Sequence, residues 1–224
     1  MPQKALFVGG CPAPYHRLEP IEAPARALLE SLGLEVTVTG MYHPDGGDAF
    51  VGDYSALTAD NLRRYDLLVL HTTGSERHGA DIEAIVDFVE SGKALVGIHN
   101  ATDSFTKDPE FIALIGGRFR THPAPLDITV EIVDKTHPIT QGLNDFTLRD
   151  ELYLFADYDP ARVHLLAQTS SYSIEDGPIP ISWVREPGAG RVFYISLGHF
   201  PETFSEPNFQ RFLKQGVEWA LRRR

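Results

Sequence analysis

Cysteine is all but missing from this chain of 224 residues. A single thiol, Cys11, cannot build an internal disulfide framework and cannot supply a thiolate zinc cage. Basic residues are also scarce. Lysine and arginine total 20 against 31 acidic residues, a formal charge of -11, which argues against nucleic acid or an anionic membrane surface as a partner. Arg222, Arg223 and Arg224 do not reverse that balance, because three cations at a helix end complement its macrodipole. No apolar run approaches the ~20 residues of a membrane span. The opening M-P-Q-K-A-L-F-V-G-G holds too short an apolar run for a signal peptide. These absences lead to the expectation of a cytoplasmic protein. H-E-x-x-H, C-x-x-C and Walker loops are missing too, and no G-x-G-x-x-G completes Gly9-Gly10, which reads as a tight turn. Any metal site must therefore be assembled from distant segments.

What is present fits one domain over residues 1–224, since 42% hydrophobic content supports one substantial core. An apolar run over 5–8 is followed by a helical pattern over 20–33, a strand over 34–38 and a Gly- and Asp-rich loop over 40–55. A short helix over 58–64, a strand over 67–70 and an amphipathic helix over 80–91 come next. Alternation of this kind predicts a doubly wound, mainly parallel α/β sheet. Beyond a helix over 109–115, strands are expected over 126–133, 163–169, 179–184 and 191–197, with a turn at Phe146 and a hairpin turn over 187–190. A last helix carries Phe209, Phe212, Leu213, Val217 and Ala220 on one face.

The stretch A-L-V-G-I-H-N-A-T-D-S-F from Ala94 to Phe105 organises the rest. It reads as a buried strand that stops on His99, where ligands bind in open α/β sheets. Gly97 and Ala101 flank His99 as small residues flank the nucleophile of a strand-turn-helix elbow. His71, His122, His199 and the pair Asp150-Glu151 also follow or interrupt apolar runs. Imidazoles and a carboxylate can exchange protons near neutral pH or bind zinc. For any one of these histidines alone, a buried ring bonded to backbone is the commoner role; for Asp150-Glu151 a solvated helix start competes. Arg118 and Arg120 suit either a polyhydroxylated ligand or surface ion pairs. Trp183 suits either the core or a sugar-stacking rim.

Four ordered segments carry a resemblance over nearly the whole chain: G-I-H-N-A-T-D-S-F, L-I-G-G-R-F-R-T-H, T-H-P-I-T-Q-G-L with R-D-E-L-Y, and W-V-R-E-P-G-A-G-R-V-F-Y-I-S-L-G-H-F. Together they resemble the ThuA-like family, named from trehalose utilisation. The resemblance implies a flavodoxin-like architecture similar to class I glutamine amidotransferases. In that larger group the elbow residue is a cysteine with a partner histidine near the C-terminus. Here His99 holds the elbow, and Gly198-His199-Phe200-Pro201-Glu202 resembles the partner segment with one residue inserted before proline. The expectation is a role in sugar metabolism beside oxidoreductases that handle keto-sugars, without glutamine hydrolysis. His99, His199 and Glu151 are the expected catalytic groups. His71, Asp103, Arg118, His122, Asp150 and Tyr153 are expected to bind substrate. A divalent metal such as zinc, if bound, would draw on His99, His122, Glu151 and His199. The expected partner is a small carbohydrate, with no nucleic acid or membrane, and a homo-oligomer is left open. A non-catalytic sugar-binding or regulatory domain is the competing expectation.

Overall fold

The computed structural model describes residues 2–170, 172 and 177–224. Among them the chain runs through β1 (Lys4–Gly10), α1 (Glu19–Glu30), β2 (Glu35–Gly40), α2 (Ala59–Leu62), β3 (Leu67–Thr72), α3 (Ile82–Glu90), β4 (Ala94–Ile98) and α4 (Pro109–Ile115). It continues through β5 (Arg118–Thr121), β6 (Leu126–Ile132), β7 (Phe146–Asp150), β8 (Leu154–Ala156), β9 (His164–Thr169), β10 (Ile179–Arg185), β11 (Arg191–Ile195) and α5 (Pro207–Ala220). Short 3-10 turns, His99–Asp103 and Pro201–Ser205, follow β4 and β11.

One sheet takes the order β2-β1-β3-β4-β11-β10-β9-β6-β7. Its first five strands are parallel, and β10, β9, β6 and β7 extend it as an antiparallel wing. β5 and β8 pair separately. Every residue of β3 and β4 is buried, as a parallel strand covered on both faces requires. The period of two then sorts their side chains. Leu67, Val69, Ala94, Val96 and Ile98 pack with α1 and α5, whereas Leu68, Leu70 and Leu95 pack with α2, α3 and α4. The expected doubly wound α/β fold is present.

Local chemistry explains the helix ends and the closest packing. Asp81 caps α3 by accepting from the Ala84 amide at 3.1 Å. α5 lies directly on β11: a Cβ on Gly216 would come within 2.2 Å of the Phe193 ring. Trp183 is fully buried and donates Nε1–H to the Ile115 carbonyl at 2.8 Å, so it belongs to the core and not to a sugar-stacking rim.

Three expectations need correction. The Phe146 turn is a strand, β7, whose residues alternate buried and exposed against β6. Asp150 therefore ends a strand and does not open a helix. β5 and β8 lie where no strand is expected, because four and three residues are too short to show a period. Finally, β3 runs through Thr72, so His71 sits within the strand and not beyond it.

Candidate functional site

The polar residues gather where the parallel strands end. β4 gives way to a 3-10 turn at His99, whose φ of +47° lies in the left-handed region that non-glycine residues rarely enter. The turn is tight enough to require small neighbours. A Cβ on Gly97 would meet Ile115 Cδ1 at 2.8 Å and the Ala101 Cβ at 3.2 Å. Next to β4 in the sheet, β11 ends in the Leu197-Gly198-His199 segment, and its Ser196 carbonyl accepts from His99 Nδ1 at 2.8 Å. A carbonyl only accepts, so His99 carries its proton on Nδ1 and turns the Nε2 lone pair inward.

Three side-chain atoms from three segments meet there. His99 Nε2 lies 3.2 Å from His199 Nδ1 and 3.3 Å from Glu151 Oε2, and His199 Nδ1 is itself 3.2 Å from Glu151 Oε2. His199 Nδ1 donates to His99 Nε2, and Glu151 Oε2 is buried without a hydrogen bond. His16 closes the group: donor atoms of His16, His99, Glu151 and His199 all lie within 4.8 Å of one another. Its Nδ1 meets Thr73 Oγ1 at 2.8 Å, Thr73 Oγ1 accepts from Asn100 Nδ2 at 2.8 Å, and the Tyr153 hydroxyl lies 3.4 Å from His16 Nε2. The Tyr153 ring packs 4.2 Å from that of His99. Access is along His199 and His122, which retain 17% and 33% side-chain exposure, while His99 retains none.

The electrostatics follow from burial and crowding. Burial opposes ionisation of Glu151, but the close imidazoles of His199 and His99 outweigh it and hold the carboxyl well below the usual range. His16 is driven well below its ordinary value by burial and then by the neighbouring His99, His71 and His199, so it stays neutral. Burial lowers His71 to about 3. It raises Tyr153 well above the ordinary phenol and Asp103 to about 6 against the pull of Arg118.

The expected site residues divide into two sets. His99, His199, Glu151, Tyr153 and His122 are brought together, with His122 Nε2 3.6 Å from Glu151 Oε2. Asp103, the last residue of the 3-10 turn, is half-buried and near enough to Tyr153 to help raise its phenol. Three others are placed differently from the substrate-binding expectation. Asp150 is fully buried and its oxygens are consumed by the backbone amides of Glu151, Gly198 and His199 and by Thr203 Oγ1, which makes it a brace for the His199 segment. His71 is 1% exposed and lies beneath His99, donating Nε2–H to the Gly198 carbonyl at 3.1 Å. Arg118 forms a surface pair with Asp157 at 2.7 Å.

Sequence reading leaves out His16, Thr73 and Asn100. His16 stands in a polar loop with no apolar run to mark it, although its place just beyond β1 is another parallel-strand end.

The same architecture occurs in known proteins. A ThuA-like protein from Bacteroides uniformis ATCC 8492 superposes with a TM-score of 0.76 at 21% identity, covering 97% of this chain and 91% of that one. A second, from Parabacteroides merdae ATCC 43184, gives 0.78 at 19% identity over 99% and 90%. PurLQS from Thermotoga maritima gives 0.60 at 16% identity over 98% and 99%, in keeping with a class I glutamine amidotransferase-like fold. At these identities the likeness is one of fold. No curated protein matches the chain, and no helix among the described residues is long and apolar enough to cross a membrane. The family described as trehalose utilisation, ThuA, matches residues 15–220, and the chain belongs to it.

Proposed function

We propose that the protein binds a small sugar derivative, a keto-sugar in particular, at the His99 cleft and catalyses proton transfer beside its carbonyl group. The observation that carries this reading is the meeting of His99 Nε2, Glu151 Oε2 and His199 Nδ1 within 3.2–3.3 Å of one another at the ends of the parallel strands. Membership of a trehalose-utilisation family supports a sugar as the class of substrate. In such a reaction a proton leaves the carbon next to the carbonyl and a proton reaches the carbonyl oxygen, giving an enediol. Return of a proton to the former carbonyl carbon, with loss of the proton of the adjacent enediol hydroxyl, completes an isomerisation; loss of the enol proton with departure of a hydroxyl, protonated as water, from the next carbon is the eliminating alternative.

The residues have distinct parts in this. Glu151 Oε2 and His99 Nε2, both acceptors, take the proton from carbon, and the His199 Nδ1–H donates to the carbonyl oxygen; general acid–base catalysis of this type supplies roughly 10²–10⁴-fold. Tyr153, kept as a phenol by burial, is a donor. His122 and Asp103 border the accessible side, and a carboxyl raised to about 6 by burial is suited to proton exchange near neutrality. Glutamine hydrolysis does not fit. The elbow holds an imidazole, and the Cys11 thiol donates to the Ala13 carbonyl at 2.9 Å while burial raises its pKa away from thiolate.

Deuterium incorporation tests the reading. Mono- and disaccharides oxidised to a ketone at one ring position are incubated with the protein in D₂O and followed by proton NMR. Exchange at the carbon beside the carbonyl is expected, slowed roughly 10²–10⁴-fold in Glu151→Gln. Binding of such sugars with no exchange, and with affinity unchanged in Glu151→Gln, would instead establish a non-catalytic sugar-binding domain.

A further inference from the structure

We propose that His99 Nε2, His199 Nδ1 and Glu151 Oε2 are the three protein ligands of a first-row divalent cation of the zinc class, with His16 facing the remaining coordination position. This deepens the sugar-site reading and rests on it only for location.

His99 commits its ring N–H to the Ser196 carbonyl at 2.8 Å, so its Nε2 offers a lone pair. Glu151 Oε2 accepts and never donates when ionised. His199 therefore holds the one hydrogen available to three mutual contacts, and it is directed at His99. The edge between His99 Nε2 and Glu151 Oε2, 3.3 Å long, is left with a lone pair facing a carboxylate. The His99 side chain is fully buried and that of Glu151 is 9% exposed, so water does not relieve the repulsion. A cation equidistant from the three atoms, bound as the His199 hydrogen moves from Nδ1 to Nε2, meets three lone pairs and converts all three contacts from competing to cooperating.

The dimensions agree. Ligands placed about 2.0–2.1 Å from zinc in a tetrahedral array stand about 3.3–3.4 Å apart, and the three edges here measure 3.2, 3.2 and 3.3 Å. Two imidazoles and one carboxylate with a fourth position left for water or substrate is a donor set of catalytic rather than structural zinc sites. It suits zinc and its first-row neighbours and not magnesium or calcium, which prefer oxygen.

The surroundings are those that ligands need. The outer nitrogen of His99 is tied to a backbone carbonyl, the usual way a ligating imidazole is oriented. Asp150 fixes His199 by accepting from its amide at 3.2 Å and from that of Gly198 at 2.9 Å. Thr73 Oγ1, itself bonded by Asn100, holds Nδ1 of His16, and His16 Nε2, 3.4 Å from the Tyr153 hydroxyl, is the nitrogen placed to bond a metal-bound water or the substrate oxygen. With a cation in place, polarising the substrate oxygen passes to the metal. His122 and Asp103 then remain as the groups on the accessible side.

The test uses metal alone. Protein freed of metal by chelator dialysis is titrated with Zn²⁺ by calorimetry and with Co²⁺ by visible absorption. One ion per chain is expected, with the intense bands of four-coordinate cobalt and a rise in Tm on zinc addition. His199→Ala and the isosteric Glu151→Gln should each weaken uptake at least 100-fold and abolish the Tm rise, whereas the distant His164→Ala should not change it. Circular dichroism of the metal-free variants separates loss of a ligand from loss of fold, and Glu151→Gln decides the matter if His199→Ala does not fold. Absence of saturable uptake in the parent protein, or uptake unchanged in Glu151→Gln, overturns the proposal. Because no sugar is involved, failure here leaves the keto-sugar reading standing, and failure to turn over any sugar leaves the cation site standing.

Discussion

Two clusters in this protein set imidazoles against a carboxylate, and they differ in every respect that bears on function. At the opposite end of the sheet from His99, Asp134 accepts from the Thr136 amide and hydroxyl at 2.9 and 2.7 Å, from the His137 amide at 3.1 Å and from His164 Nε2 at 2.8 Å. His137 Nδ1 in turn accepts from the Ile139 amide at 3.2 Å. Each acceptor there meets a donor, and the His164 and Asp134 side chains retain 55% and 24% exposure. Around His99 the same residue types are buried, and Glu151 Oε2, Asn100 Oδ1 and His71 Nδ1 have no hydrogen-bond partner. The satisfied cluster ties a loop to a strand. Only the unsatisfied one has bonding capacity left for a ligand, and buried capacity of that kind is costly to maintain.

Removing each cluster's central brace is the most forceful way to break this comparison. Asp150→Ala takes one acceptor from three backbone amides and the Thr203 hydroxyl, with every bond but that of the His199 amide buried, and is expected to cost about 3 kcal/mol of unfolding free energy in urea. Asp134→Ala, which opens its donors to water, should cost about 1 kcal/mol. Equal losses would show that burial does not separate the two clusters.

Acid titration sharpens the contrast, because the buried imidazoles beneath the cleft and Asp134 respond in different windows. Unfolded, His71 takes up a proton below its ordinary 6.5; folded, it stays neutral down to about 3. More protons are then bound by the unfolded chain, and stability declines as pH falls from about 6.5 towards 3. His16 acts in the same direction. Asp134 is held well below its ordinary 3.8, chiefly by the Thr136 hydroxyl and amide and against some burial, so its contribution is complete above 3.8 and lost only as pH falls through the folded value. Urea midpoints measured against pH should lose slope above pH 4 in His71→Asn and below pH 4 in Asp134→Asn. A parent midpoint that is level between pH 6.5 and 4 would contradict the role given to the buried imidazoles.

The smallest effect belongs to Arg118, which the motif L-I-G-G-R-F-R-T-H nominates as a ligand contact. Its pair with Asp157 is 36% and 54% exposed, and Arg118→Ala should change unfolding free energy by less than about 0.5 kcal/mol. A larger loss in urea denaturation would make the pair part of the fold.

Much of this was legible in the residues. Apolar runs with helical spacers are enough to read β1 to β4 and the parallel sheet, and Ala94–Ile98 agrees residue for residue with β4. His99 was legible because the apolar run stops at it between two small residues. The convergence of Glu151 was less so: Phe146–Asp150 alternates, but Asp150 and Glu151 look equivalent as a written pair. Only the paths of the wing and of the β11 segment reveal that one is consumed internally and the other faces the cleft. His16 was out of reach for a different reason. A loop without periodicity gives no direction to its side chains, and what fixes His16 is contact with Thr73, 57 positions away.

The adjacency of Asp150 and Glu151 makes strand register a functional quantity. β7 is an edge strand that meets β6 with Leu126 opposite Asp150 and Ile128 opposite Leu148. Asp150 and Glu151 follow each other at its end, and a slip of one residue moves each into a neighbour's place. A one-residue deletion between Phe146 and Asp150 would bring Glu151 into the bracing place beside Gly198, and a one-residue insertion would bring Asp150 into the place that faces His99, so either change costs the site one of its two carboxylate roles. The alternation of Phe146, Leu148 and Asp150 into the interior guards against this, because a slipped β7 would also turn two core side chains out to solvent. The two hydrophobic residues thus act as a phase lock on the chemistry at the far end of their own strand.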